Sequence, residues 1–206
     1  MRKSSQAVKE FNLHHSFKTF IGMLLLLPAL ALGDFDHGAW DSLLGEHVRV
    51  LDGGSATRVD YSAMQSDREL LKAYLAELAA VPRGTFEGWS EPDQLAFLIN
   101  AYNAWTVEVI LNEYPRIDSI RDIGFLFSSA WNQDFARLFG EPVTLDEIEH
   151  GMIRGWDRYQ EPRIHFAVNC AAIGCPALRA EAYVGDRLEQ QLEDSTEKFL
   201  ADRTRN

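Results

Sequence analysis

Cysteine is close to absent from this chain. Its 206 residues hold two, Cys170 and Cys175, and their C-x4-C spacing is not the C-x2-C spacing of a zinc site. The scattered histidines His37, His47, His150 and His165 do not complete a ligand set, so no metal or cofactor is expected. Basic charge is scarce as well: 20 Lys and Arg stand against 31 Asp and Glu, a formal charge of −11. No basic stripe offsets this balance, which excludes nucleic acid and anionic lipid as partners. After residue 34 there is no internal repeat, no low-complexity tract and no Pro/Ser-rich linker. That leaves one compact domain over 34–206.

Long apolar runs are missing too, with one exception. Arg2, Lys3, Lys9 and Lys18 precede "FIGMLLLLPALALG", interrupted by Pro28, which is too short for a spanning helix of roughly 20 residues. Ala29 and Ala31, or Ala31 and Gly33, offer the small residues of a signal-peptidase site. Residues 1–33 are therefore expected to be a cleaved signal peptide, and the protein periplasmic or secreted, with no membrane contact after cleavage. Loss of four basic side chains and one acid takes the formal charge from −11 to −14. No cysteine follows the run, which argues against a lipid anchor.

What is present reads mostly as helix. "WDSLLGEHV" has helical apolar spacing, and "VRVLDGGSATRVDYSAM" reads as two short strands about the turn Asp52–Gly54. "SDRELLKAYLAELAAVP" predicts an amphipathic helix from Ser66, with Glu69 closing a capping box and Pro82 stopping it. "SEPDQLAFLINAYNAWTVEVILNEYP" has Ser90 as N-cap and Pro92 in the first turn. It is apolar on most sides, as a buried central helix over about 91–113 would be. Asn100 and Asn103 lie one turn apart inside it. Either they bond neighbouring backbone, or they face a polar site. "TLDEIEHGMIR" opens on a Thr144/Glu147 capping box and carries Glu149 and His150, which as helix neighbours should point apart. The last helix, "GDRLEQQLEDSTEKFLAD", should bury Leu188, Leu192, Phe199 and Leu200 and be structural. The five scattered tryptophans fit core packing better than a sugar-binding surface.

"IHFAVNCAAIGCPALR" is where chemistry is expected. Residues 164–170 read as a buried strand with His165 and Asn169 on one face and Cys170 on the other. Pro176 would open a helix and put Cys175 near its N-cap, where a thiolate is stabilised. With His165 as base and Asn169 as its orienter, this makes a Cys-His-Asn arrangement. The other reading is a Cys170–Cys175 disulfide, which suits an exported chain.

"FLINAYNAWTVEVIL", "TLDEIEHGMIR", "EPRIHFAVNCAAIGCPALR" and "EAY" followed by "LEQQL" resemble, in this order, the domain-of-unknown-function family 547. The resemblance runs from about Asp60 to Phe199. It implies that Asn100, Asn103, Glu149, His150, His165, Cys170, Cys175 and Pro176 are hallmark positions, and it implies no activity. Relatives with serine or another residue at the cysteine positions count against a nucleophile shared by the whole family. Relatives also continue into an aromatic segment similar to "IFKWYxxDF", which this sequence, ending at Asn206, does not show. The expectation is therefore an α+β fold, a mostly helical single domain with a small β-sheet that includes residues 164–170. Its function would be that of a thiol-dependent hydrolase or acyl-transfer enzyme acting on a small molecule or peptide. Asn100 or Asn103 would be oxyanion donors, with Glu149, His150 and Cys170 as supporting residues. The alternative is a non-enzymatic binding or scaffold domain with bridged cysteines.

Overall fold

The computed structural model describes residues 34–125, 128–172 and 174–203. The expected signal peptide lies outside the described residues. Helix α1 (Gly38–His47) leads into a hairpin of β1 (Val48–Leu51) and β2 (Ala56–Val59). Helices α2 (Tyr61–Ser66), α3 (Arg68–Ala80), α4 (Arg83–Glu87) and α5 (Glu91–Glu113) follow. Two short hairpins come next, β3 (Gly124–Phe125) with β4 (Ser128–Ser129) and β5 (Ala136–Leu138) with β6 (Glu141–Val143). A π-helical turn (Glu147–Ile153), a 3-10 turn (Pro162–Phe166) and helix α6 (Leu188–Ala201), preceded by a 3-10 turn at Gly185–Arg187, complete the order. The fold is a mostly helical α+β arrangement, as expected, and every strand among the described residues is in an antiparallel two-stranded hairpin.

Helix α5 is the axis of the molecule. Ser90 caps it, its hydroxyl accepting from the Asp93 N–H at 3.3 Å and donating to the Asp93 carboxylate at 2.5 Å. Pro92 fits the first turn because its missing N–H has no intrahelical partner there anyway. The end comes at Tyr114, because the residue before Pro115 is pushed out of the helical region. Phe97, Leu98 and Ile99 are wholly buried, each contributing about 1.5–3 kcal/mol of apolar burial. The helix packs against α3, the π-helical turn and the 185–187 turn.

Four local expectations are corrected. Residues 164–170 are not a strand: Pro162 opens a 3-10 turn, and Glu161 caps it by accepting from the Arg163 N–H at 3.0 Å. Ile164 is buried there without strand pairing. Residues 176–179 are irregular, not helical. Helix α3 starts at Arg68, since Ser66 is already the last residue of α2, whose cap is Asp60. Its expected stop before Pro82 holds. In α6, Leu200 is exposed while Gln191 and Ser195 are buried. The inward face is thus turned away from Leu200 and carries polar groups that bond neighbouring segments.

Candidate functional site

The two asparagines of α5 both hold backbone. Asn100, 1% exposed, forms a closed pair with Tyr183, donating to its carbonyl at 2.7 Å and accepting its N–H at 3.0 Å. Asn103, 2% exposed, donates to the Ala167 carbonyl at 3.0 Å and accepts the Asn169 N–H at 2.8 Å. One helix turn thus pins two distant irregular segments. Those segments have no ladder of their own, and a buried backbone group left without a partner costs about 1–3 kcal/mol.

Asn169 extends the clamp into the cysteine loop. Its side chain accepts the Ala171 N–H at 3.0 Å and donates to the Pro176 carbonyl at 2.6 Å. Cys170 and Cys175 are joined by a disulfide with Cα atoms 5.8 Å apart. Cys175 is 8% exposed, and its N–H closes a turn on Ala172 at 2.9 Å. A bonded sulfur has no thiolate, and without a helix after Pro176 there is no N-terminal dipole to stabilise one. The Cys175 nucleophile expected from the sequence therefore has no chemical basis in this bridged state. His165 stands exposed on the 3-10 turn, and the strand face that was to align it with Asn169 does not exist.

Glu149 and His150 do come together. The turn is π-helical, with the Arg154 N–H bonding the Glu149 carbonyl at 3.1 Å. The wider winding changes the angle between neighbouring side chains, and His150 Nδ1 lies 3.9 Å from the Glu149 carboxylate. Arg154 Nη1 lies 2.9 Å from that same Nδ1, so the imidazole sits between a carboxylate and a guanidinium. Glu149 also bonds the Tyr102 hydroxyl. Burial first, then the Glu149 charge, push that phenol above its ordinary range, while a hydrogen bond with Trp131 opposes them.

A cleft of about 380 Å³ opens directly after the bridged loop, between residues 177–181, the β1–β2 hairpin and α6. Phe166 and Phe199, ring centroids 5.3 Å apart, form an apolar wall. Opposite charges meet at its edge: Arg179 bonds Glu181 and Asp194, Arg187 bonds Glu181 at 2.9 Å, and Lys198 bonds Asp194 at 2.7 Å. Three cations face two carboxylates. Burial opposes ionisation of Glu181, but its hydrogen bonds from Arg179 and Arg187 win and hold it below its ordinary value. At the hairpin tip Gly54 has φ +100°, and a Cβ there would lie 2.9 Å from Lys198 Cε, so the turn lies against the Lys198 stem. Of these residues the sequence singled out Gly54 as a turn residue, Phe199 as part of an apolar helix face and the segment "ALR" after Cys175, none of them as the wall of a cleft. Ser195, Lys198 and Phe199, at helical spacing on α6, were the available signal.

The sequence profile of a family described as "Protein of unknown function, DUF547" matches residues 86–200, more than half of the chain. The chain belongs to the DUF547 family. The matched stretch of this DUF547 protein contains both asparagine clamps, the disulfide and the α6 wall of the cleft, whereas the hairpin wall (Val50, Gly54, Ser55, Thr57) precedes it. No curated protein and no solved structure matches the chain significantly. The disulfide is compatible with an oxidising compartment. No described helix is long and apolar enough to cross a membrane.

Among the described residues of the DUF547 chain, Glu46, His47 and Asp67 form one group whose ligand atoms lie within 4.8 Å of one another. His47 Nε2 is already 2.8 Å from Asp67 Oδ2, a hydrogen bond that joins the end of α1 to the start of α3.

Proposed function

We propose that this DUF547 protein is an exported, non-catalytic binding domain. Its cleft between Phe166, Phe199, Arg179 and Lys198 would take a small organic anion with an aromatic or apolar part. The bonded pair Cys170–Cys175 carries the reading. With it, Asn169, Asn100 and Asn103 serve as backbone clamps, and the supposed thiol, base and oxyanion donors have structural roles or none. The cleft supplies what such a ligand needs: an aromatic wall, one surplus positive charge, and Lys198, whose side chain is 40% exposed at the edge. Its volume of about 380 Å³ falls in the range of about 300–1,000 Å³ usual for ligand sites. The leader-like sequence of residues 1–33 and the bridge support export, and the acidic balance disfavours nucleic acid.

Two measurements test this reading. Thiol titration of denatured, non-reduced protein should find no free sulfhydryl. Two free groups would return the thiol-dependent hydrolase to first place. Ligand-observed NMR with phenylacetate as probe should give binding that Lys198→Glu abolishes, and binding unchanged in that variant would remove the cleft from consideration.

A further inference from the structure

A second concavity, of about 400 Å³, lies between the first turns of α5 and α6 and residues 158–161. Its floor is apolar: Leu95, Leu188 and Leu192 are 4%, 5% and 1% exposed, and Pro92 forms a lip. Its rim is acidic, with Glu91, Glu161 and Glu189 against Arg158.

Arg158, the one cation among the described residues lining this rim, is partly engaged inward. Its Nη1 donates to Gln94 Oε1 at 2.7 Å, and its guanidinium lies over the Trp156 ring at 5.4 Å. The Tyr159 hydroxyl donates to the same amide oxygen at 2.9 Å, and the buried Gln94 is held in turn by the Trp89 carbonyl at 2.9 Å. The wall is therefore preorganised. Two further cations lie nearby: Arg83, over the same Trp156 ring at 4.6 Å, and Arg163, which serves three carboxylates, Glu161, Glu189 and Glu193. Four acids, Glu91, Glu161, Glu189 and Glu193, thus stand against three guanidiniums, Arg83, Arg158 and Arg163. Glu91 and Glu189 lie in first helical turns, where a carboxylate is favoured, and Glu189 is also bonded to Arg163 at 2.6 Å.

We infer that this groove docks a peptide segment of a partner protein, with a leucine-like anchor on the leucine floor and flanking Lys or Arg side chains on the acidic rim. The charge decides the occupant. A small anion or an anionic membrane would be repelled, and a second copy of this chain, at −11, would bring like charge to the rim. An uncharged apolar ligand would have no use for the carboxylates. The groove shares no lining residue with the cleft, so the two surfaces select ligands of opposite sign.

Fluorescence polarisation with a labelled Lys/Leu peptide at helical spacing tests it directly. Replacing Lys by Glu, or Leu by Ser, in that peptide should each weaken binding by about tenfold or more, as should the exposed-residue double variant Glu91→Lys/Glu189→Lys. Lys198→Glu, in the cleft, should leave the affinity unchanged. The inference is overturned by absence of binding at about 1 mM, by a Leu-to-Ser peptide that binds as well, by indifference to the double variant, or by a loss in Lys198→Glu. Helical circular dichroism of each variant checks that the fold is intact.

Discussion

The side-chain oxygen of Asn103 accepts the backbone N–H of Asn169 at 2.8 Å across 66 residues of sequence. Through Asn169, whose own amide grips the Pro176 carbonyl, the central helix holds both sides of the cysteine bridge and sets where the cleft wall of 177–181 begins. Asn103, Asn169 and the two cysteines, which looked like reagents in the sequence, form a chain of supports, and four outcomes, two along this chain and two elsewhere in the fold, can be measured.

Asn103→Ala leaves the Ala167 carbonyl and the Asn169 N–H buried without their partner. It should lower stability by about 2–4 kcal/mol, read as a fall in the urea midpoint at constant slope. A change within the error of wild type would mean that water replaces the amide and that the clamp does not matter.

Removal of the bridge in Cys170→Ser/Cys175→Ser should cost ~2 kcal/mol on the chain-entropy estimate for so short a loop. Wild type in reductant should fall to the level of the double variant, whereas the variant itself should not respond. A reductant-insensitive wild type would show the bridge to be absent in solution.

His37 sits buried with its Nδ1 2.7 Å from the Tyr74 hydroxyl. Burial lowers its pKa from 6.5 to about 4, with the Asp36 charge opposing. The unfolded chain therefore binds the proton first. Stability from a neutral His37 is complete above pH 6.5 and is lost as pH falls towards 4, by about 3 kcal/mol in all. His37→Gln should flatten thermal stability against pH across that window, and an equally steep profile would place the acid sensitivity elsewhere.

Gly54→Ala puts a side chain at φ +100° and within 2.9 Å of Lys198 Cε. It should destabilise by about 1 kcal/mol or more. The Lys198→Ala background relieves the close approach but not the backbone strain, so only part of the loss should disappear. Full recovery would assign the whole effect to crowding.

Some of the fold was legible because its cause is local. Ser90, Pro92 and the near-continuous apolar circumference announced α5, and Pro82 and the Asp52–Gly54 turn set neighbouring boundaries. The Thr144/Glu147 capping box is also observed, with bonds of 2.9 and 3.0 Å. The run 164–170 failed for a reason that composition does not carry. Its apolar, β-branched residues suit a strand, but no strand lies beside them to accept the ladder, and Pro162 with Glu161 supplies a local alternative.

The candidate site divides the same way. Both cysteines, and the alternative that they are bridged, could be read from 164–179, as could the oddity of two amides in an apolar helix. That Asn100 meets Tyr183 and Asn103 meets Asn169 depends on separations of 83 and 66 residues, which no local pattern encodes. The cleft was hidden altogether, since Val50, Arg179 and Lys198 come from three remote segments. The chain by itself determined its acidic balance, its buried central helix and the end of α3 before Pro82, because caps, prolines and periodicity act within a few residues. Only the tertiary structure decided that the sulfurs are joined and the asparagines are clamps, because burial and hydrogen-bond partners are properties of segments brought together by folding.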